Sequence, residues 1–122
     1  MAQVIWAEPA LNDLDAIADY IALDNPAAAS QLVQRIFGHV DQLIIHPDSG
    51  SKPRELRGGR YRQIVEPPCR IFYRREGETV YVLYVMRGER KLRPRALAAR
   101  SKKAARKNRL STGYSTLWVN RL

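Results

Sequence analysis

The sequence predicts one small soluble domain of mixed α/β type: an N-terminal strand, two helices and a three-stranded meander, followed by a strongly basic C-terminal segment. Three observations carry this. Two stretches repeat apolar residues at three- and four-residue steps, the period of a helix packed on one side. Three later stretches are short, rich in β-branched and aromatic residues, and separated by Pro or Gly turns. Past residue 90 the composition shifts to Arg, Lys and Ala, with few apolar residues.

Val4-Ile5-Trp6 reads as a short strand, which Glu8-Pro9 ends. Pro9 has no N–H to give to a ladder, and its fixed φ suits the first turn of a helix. Leu11, Leu14, Ile17, Ala18 and Ile21 then form an apolar stripe, and Asn12, Asp13, Asp15 and Asp19 fall mostly off it as a solvated face. Acids near this N-terminus suit the helix dipole. Asp24-Asn25-Pro26 breaks the chain and restarts it, with Asn25 as N-cap and Pro26 at the first helical position. The second helix is expected from about Ala27 to Ile45, with Leu32, Val33, Ile36, Phe37, Val40, Leu43 and Ile44 on one side. A short link between two amphipathic helices predicts an antiparallel hairpin.

Residues 47–59 read as loop, holding Pro47, Gly50, Pro53, Gly58 and Gly59. The meander follows as Arg60–Val65, Arg70–Arg75 and Thr79–Met86. Its last strand is apolar or aromatic on both faces, the pattern of a central strand covered on one side and partly on the other. The domain is expected to span residues 1–94. Residues 95–122 are expected to be a basic tail, either a helix with a thin apolar stripe or a segment without fixed structure.

The 122 residues leave room for one core. No apolar run approaches the roughly 20 residues that a membrane helix needs, and the N-terminus lacks the basic region of a signal peptide. A cytoplasmic protein is the expectation. One cysteine, Cys69, permits no internal disulfide and reads as a packed small hydrophobe. His39 and His46 without a Cys-x-x-Cys make no zinc site. Gly58-Gly59 lacks the Lys-Ser/Thr of a phosphate loop. No cofactor or metal is expected.

Charge is unevenly placed. Residues 87–109 hold 11 of the 21 Lys and Arg and one of the 12 Asp and Glu, a net +10, whereas residues 1–86 hold nine bases and eleven acids, a net −2. A near-neutral body with a basic end suits an acidic partner. Arginines also recur along the meander, at Arg60, Arg62, Arg70, Arg74, Arg75 and Arg87. Side chains on neighbouring strands, about 4.8 Å apart, are able to share a face and to grip phosphate or carboxylate. The alternative is a row of solvated strand charges paired with Glu55, Glu66, Glu76 and Glu89.

Three stretches carry a family resemblance: Ile5-Trp6-Ala7-Glu8-Pro9-Ala10-Leu11-Asn12-Asp13-Leu14; Gly59-Arg60-Tyr61-Arg62-Gln63-Ile64-Val65 with Arg70-Ile71-Phe72-Tyr73-Arg74; and Val85-Met86-Arg87-Gly88-Glu89-Arg90. In this order and spacing they resemble the RelE/ParE toxins of bacterial type II toxin–antitoxin modules over about residues 3–93. The resemblance implies a β-α-α-β-β-β domain, with the helix hairpin packed on a small, mostly antiparallel four-stranded sheet. It implies a cognate antitoxin, a toxin–antitoxin hetero-oligomer and no membrane.

The family divides by mechanism. RelE-like members cleave mRNA on the ribosome, and ParE-like members poison DNA gyrase. Cleavage needs a base for the 2′-hydroxyl, cations for the phosphorane and an acid for the leaving oxygen. Arg62, Arg70 and Arg87 are the matching candidates. Ile64 stands where a second lysine is expected, Arg87 where many relatives have His, and Pro94 near where a terminal Tyr would sit. An arginine stays protonated and is a poor base. The expectation is therefore ParE-like and leans away from an enzyme, with ribosome-dependent mRNA cleavage as the alternative and a non-toxic nucleic-acid-binding module as a further one. The resemblance points to Leu14, Ile17, Ile21, Val33, Phe37, Arg70 and Tyr73 for the antitoxin. It points to Arg87, Arg90, Lys91 and Arg93 for the target.

Overall fold

The computed structural model describes residues 1–56 and 58–110. The chain runs β1 (Gln3–Trp6), α1 (Glu8–Ala22), α2 (Pro26–Asp41), β2 (Tyr61–Glu66), β3 (Cys69–Glu76), β4 (Thr79–Arg87) and α3 (Pro94–Leu110). The fold is α+β, three helices on a four-stranded sheet of order β1-β4-β3-β2. β1 runs parallel to β4, and the β2–β3 and β3–β4 pairs are antiparallel.

The helix hairpin forms as the sequence directs. Ala28 N–H donates to the Asn25 side chain at 3.0 Å, the expected N-cap, with Pro26 in the first turn. The regular part of α2 ends at Asp41, and a 3₁₀ turn over Gln42–Ile44 carries Leu43 into the core. Ala10, Leu11 and Leu14 of α1 and Leu32, Ile36 and Val40 of α2 pack on the sheet's inner face, on Ile64, Cys69, Ile71, Tyr73, Val80, Val82 and Val85. Each fully buried Leu, Ile or Val contributes about 1.5–3 kcal/mol, which makes this layer the main source of stability.

The outer face is also covered. Ile5, Phe72, Tyr81, Leu83 and Met86 lie under Leu92, Leu97 and Ala104, so α3 and the segment before it form a third layer. Polar groups reinforce it. Arg74, only 3% exposed, donates through Nε to Ser101 Oγ at 2.6 Å. Arg100 pairs with Asp13 of α1, donates to the Leu83 carbonyl at 3.1 Å, and lies over the Tyr84 ring. Asp13 is thus not part of a solvated acid face. The rest of the expected tail, residues 111–122, lies outside the described residues.

Between β3 and β4 the register shifts: Tyr73 pairs with Val82 but Phe72 pairs with Tyr84. Leu83 is the extra residue of a β-bulge, and Leu83 and Tyr84 both join the outer layer. Val85 N–H donates to Asp13 at 3.0 Å. The Asp13–Arg100 pair therefore joins α1, the bulge and α3 at one point.

Gly50 shows a close approach. A Cβ there would lie 2.7 Å from the Gln63 carbonyl and from the Tyr73 ring and hydroxyl. Gly50 N–H donates to that hydroxyl at 2.8 Å, and Ser51 pairs with Gln63, pinning the long loop to β2.

Candidate functional site

The strand arginines divide between the two faces of the sheet. Glu66 pairs with Cys69 across the β2–β3 turn, so Arg62 pairs with Tyr73. Tyr73 belongs to the inner core, which places Arg62 on the helix side. There it donates to the Gly50 carbonyl at 2.9 Å and stands 3.9 Å from Asp48. Arg70 and Arg74 project from the outer face, over the rings of Phe72 and Tyr81.

Arg70 is held from several sides. Nη1 and Nη2 donate to the two Glu55 oxygens at 3.2 and 3.0 Å, a bidentate pair, and Nη2 also donates to the Arg90 carbonyl at 3.1 Å. Gln63 Oε1 lies 3.4 Å from Nη1. The side chain is 13% exposed. The hydrogen bonds from Arg70 hold the Glu55 carboxyl below its usual range. Glu55 fills the fork with which a guanidinium grips phosphate. Of the two readings of the strand arginines, pairing with neighbouring acids is the one seen at Arg70 and Arg74, where Glu55 and Glu76, with Ser101, supply the partners.

Arg87 pairs with Cys69, whose side chain joins the inner core, so it turns toward α1. It donates to Glu89 at 2.8 Å and borders a cleft with Ala16, Ile17 and Tyr20. Arg62, Arg70 and Arg87 therefore do not converge. Arg62 and Arg70 point from opposite faces. Arg62 and Arg87 share a face but stand two strands and four residues apart, roughly 16 Å by strand geometry.

Two residues of the expected antitoxin surface are core. Leu14 and Tyr73 are fully buried, and the Tyr73 hydroxyl is engaged with Gly50. Leu14 is an apolar-stripe position at the centre of its layer, the least accessible place, and Tyr73 lies in the same core on β3. Ile17, Ile21, Val33 and Phe37 lie at the rim, half-buried. The hairpin also exposes Tyr20 and Leu23, at 66% and 81%, which lie off the apolar stripe. Arg70 lies on the other side of the sheet from this rim.

Of the four expected target residues, Arg87 turns toward α1, and the other three lie in the segment before α3. Arg90, Lys91 and Arg93 are exposed, while Leu92 between them is buried and Arg70 holds the Arg90 carbonyl. Among the described residues no carboxylate forms an ion pair with these three. No three His, Cys, Asp or Glu side chains among the described residues stand grouped to hold a metal. No helix among them is long and apolar enough to cross a membrane.

This architecture is that of a small α+β domain with a helix hairpin on one face of a mixed four-stranded sheet. It matches a solved structure described as the chromosomal ParDE TA system from P. aeruginosa with a TM-score of 0.60 and 30% identity, covering 73% of this chain and 98% of that one. The model of the ParE toxin of type II toxin–antitoxin systems, parDE, matches residues 4–92, and the chain belongs to this family. Toxin RelE2 of Caulobacter vibrioides is 39% identical over 74 residues, 60% of this chain and 80% of that protein. Putative toxin Y4kP of Sinorhizobium fredii is 36% identical over 84 residues, 67% and 86% of the two. The family match ends at residue 92, and α3 begins at Pro94.

Proposed function

We propose that this toxin acts by inhibiting DNA gyrase and is neutralised by a cognate antitoxin. The observation that supports gyrase over mRNA cleavage is the separation of Arg62, Arg70 and Arg87, with the Arg70 fork filled by Glu55. A phosphorane needs its cations, base and acid within hydrogen-bond reach of one phosphate. The antitoxin would cover the half-buried rim of Ile17, Ile21, Val33 and Phe37 with the exposed Tyr20 and Leu23, by the helix-in-groove mode. Arg90, Lys91 and Arg93 would meet the target.

The test places the full chain against purified gyrase in a supercoiling assay and against translating ribosomes with a defined mRNA. Loss of supercoiling with accumulation of cleaved DNA, and intact mRNA, is expected. Codon-specific mRNA cleavage with unaffected supercoiling would overturn the reading.

A further inference from the structure

Helix α3 presents two opposed faces. Leu97, Ser101 and Ala104 recur at four and three residues and are buried against the sheet. At about 100° per residue, Arg95, Lys102 and Arg106 fall on a stripe on the other side of the helix. All three are exposed, as are Ala98 and Ala99 between them. No carboxylate of the described residues forms an ion pair with the three. The two arginines that anchor this outer layer, Arg74 and Arg100, are instead engaged internally. The stripe is thus a fixed row of cations on a braced helix, continuous in sequence with the exposed Arg90, Lys91 and Arg93. The acids Asp15, Asp19, Asp24 and Asp41 sit on the hairpin, on the other side of the sheet.

We infer that the outer face of α3 is a docking surface for the phosphate backbone of duplex DNA. Among the described residues the stripe carries no exposed apolar side chain larger than Ala, so contact there rests on charge. An acidic protein partner would normally add a buried aromatic or aliphatic anchor, whereas sequence-independent phosphate binding needs cations alone. At about 10–12 Å across, α3 matches the width of the roughly 12 Å major groove of B-DNA along which its free face would lie, and the major groove of A-form RNA is too narrow. The acidic hairpin repels the same polyanion and so turns α3 toward it. The inference stands whether or not gyrase is the target.

The experiment uses the full 122-residue chain without antitoxin. Binding to a fluorescein-labelled DNA duplex of mixed sequence is followed by anisotropy across 50–200 mM NaCl, beside an RNA duplex of the same sequence and a poly-glutamate peptide. The comparison is with the triple variant Arg95→Gln, Lys102→Gln and Arg106→Gln, and with Lys52→Gln as control. Gln keeps helix propensity, and far-UV dichroism verifies the fold. DNA is expected to bind tightest, with affinity falling steeply as salt rises. The triple variant should lower the slope of log K against log salt by about 2.7, three contacts at about 0.9 each, and Lys52→Gln should leave it unchanged. An unchanged slope in the triple variant, no DNA binding at 50 mM salt, or tighter binding to RNA or to poly-glutamate would each overturn the inference.

Discussion

Replacing Arg100 by Ala tests how α3 is held. Its guanidinium bonds both Asp13 oxygens and the Leu83 carbonyl, and lies 3.7 Å from the Tyr84 ring centroid. The two side chains are 22% and 19% exposed, between the surface and the buried regime. Exposed pairs contribute about 0–1 kcal/mol, and breaking a fully buried pair costs about 3–5 kcal/mol. About one-fifth exposure places the loss near 2–3 kcal/mol, because Asp13 stays largely buried without its counter-ion. With a urea m-value of about 1–3 kcal/mol/M, the unfolding midpoint should fall by about 1 M or more. Arg100→Met keeps the stem over Tyr84 and separates packing from charge. Asp13→Ala and the double variant complete a cycle with an expected coupling of about 1.5 kcal/mol or more. In 1 M NaCl, where the screening length is about 3 Å, more than half of that coupling should survive. A coupling near zero, or one that salt abolishes, would refute the claim that this pair braces the outer layer.

Three further outcomes follow from the geometry. Gly50→Ala should destabilise the protein by about 1–3 kcal/mol through overpacking against Gln63 and Tyr73, read as a fall in melting temperature. Burial pushes the Cys69 thiol up to about 11, so it should resist a thiol reagent at pH 8 and react as fast as urea exposes it; rapid labelling of the native protein would contradict its burial. Arg70 lowers the folded pKa of Glu55, so the stability from that pair is complete above pH 4.5, the ordinary value, and is lost as pH falls through the lower folded pKa. Glu55→Gln should flatten that acid limb of the stability curve, and an unchanged limb would remove Glu55 from the account.

The inner layer was legible because its signals are local. The Asn25 cap, the two apolar stripes and the doubly apolar β4 each need only neighbouring residues to be read. The outer layer was not. Among the described residues Leu97 is the only large apolar one on the buried side of α3, and the helix is held by Arg74–Ser101 and Arg100–Asp13, separated by 27 and 87 residues. No local pattern announces such partners. The placement of the arginines turned on a smaller point. A two-residue turn at Pro67-Pro68 pairs Glu66 with Cys69 and hence every even residue of β2 with an odd one of β3. Arg62 and Arg70 then have to face opposite ways, whereas ending β2 at Val65 and starting β3 at Arg70 leaves that parity open.

The same counting extends to Arg87. At the β3–β4 turn Glu76 pairs with Thr79, and Val80 and Val82 point inward. Continued without interruption, that alternation would send Met86 inward and Arg87 outward, onto the face that Arg70 and Arg74 occupy. The extra residue at Leu83 reverses it: Val85 is inward, Met86 outward beside Arg70, and Arg87 turns toward α1. One inserted residue thus decides whether this domain offers three arginines on one face or divides them. The bulge is in turn satisfied by Asp13 at Val85 N–H and by Arg100 at the Leu83 carbonyl. The contact that fastens α3 is therefore also the one that stabilises the register on which the separation of the arginines depends. Deleting Leu83 should bring Arg87 to the outer face and strip Asp13 and Arg100 of their backbone partners together.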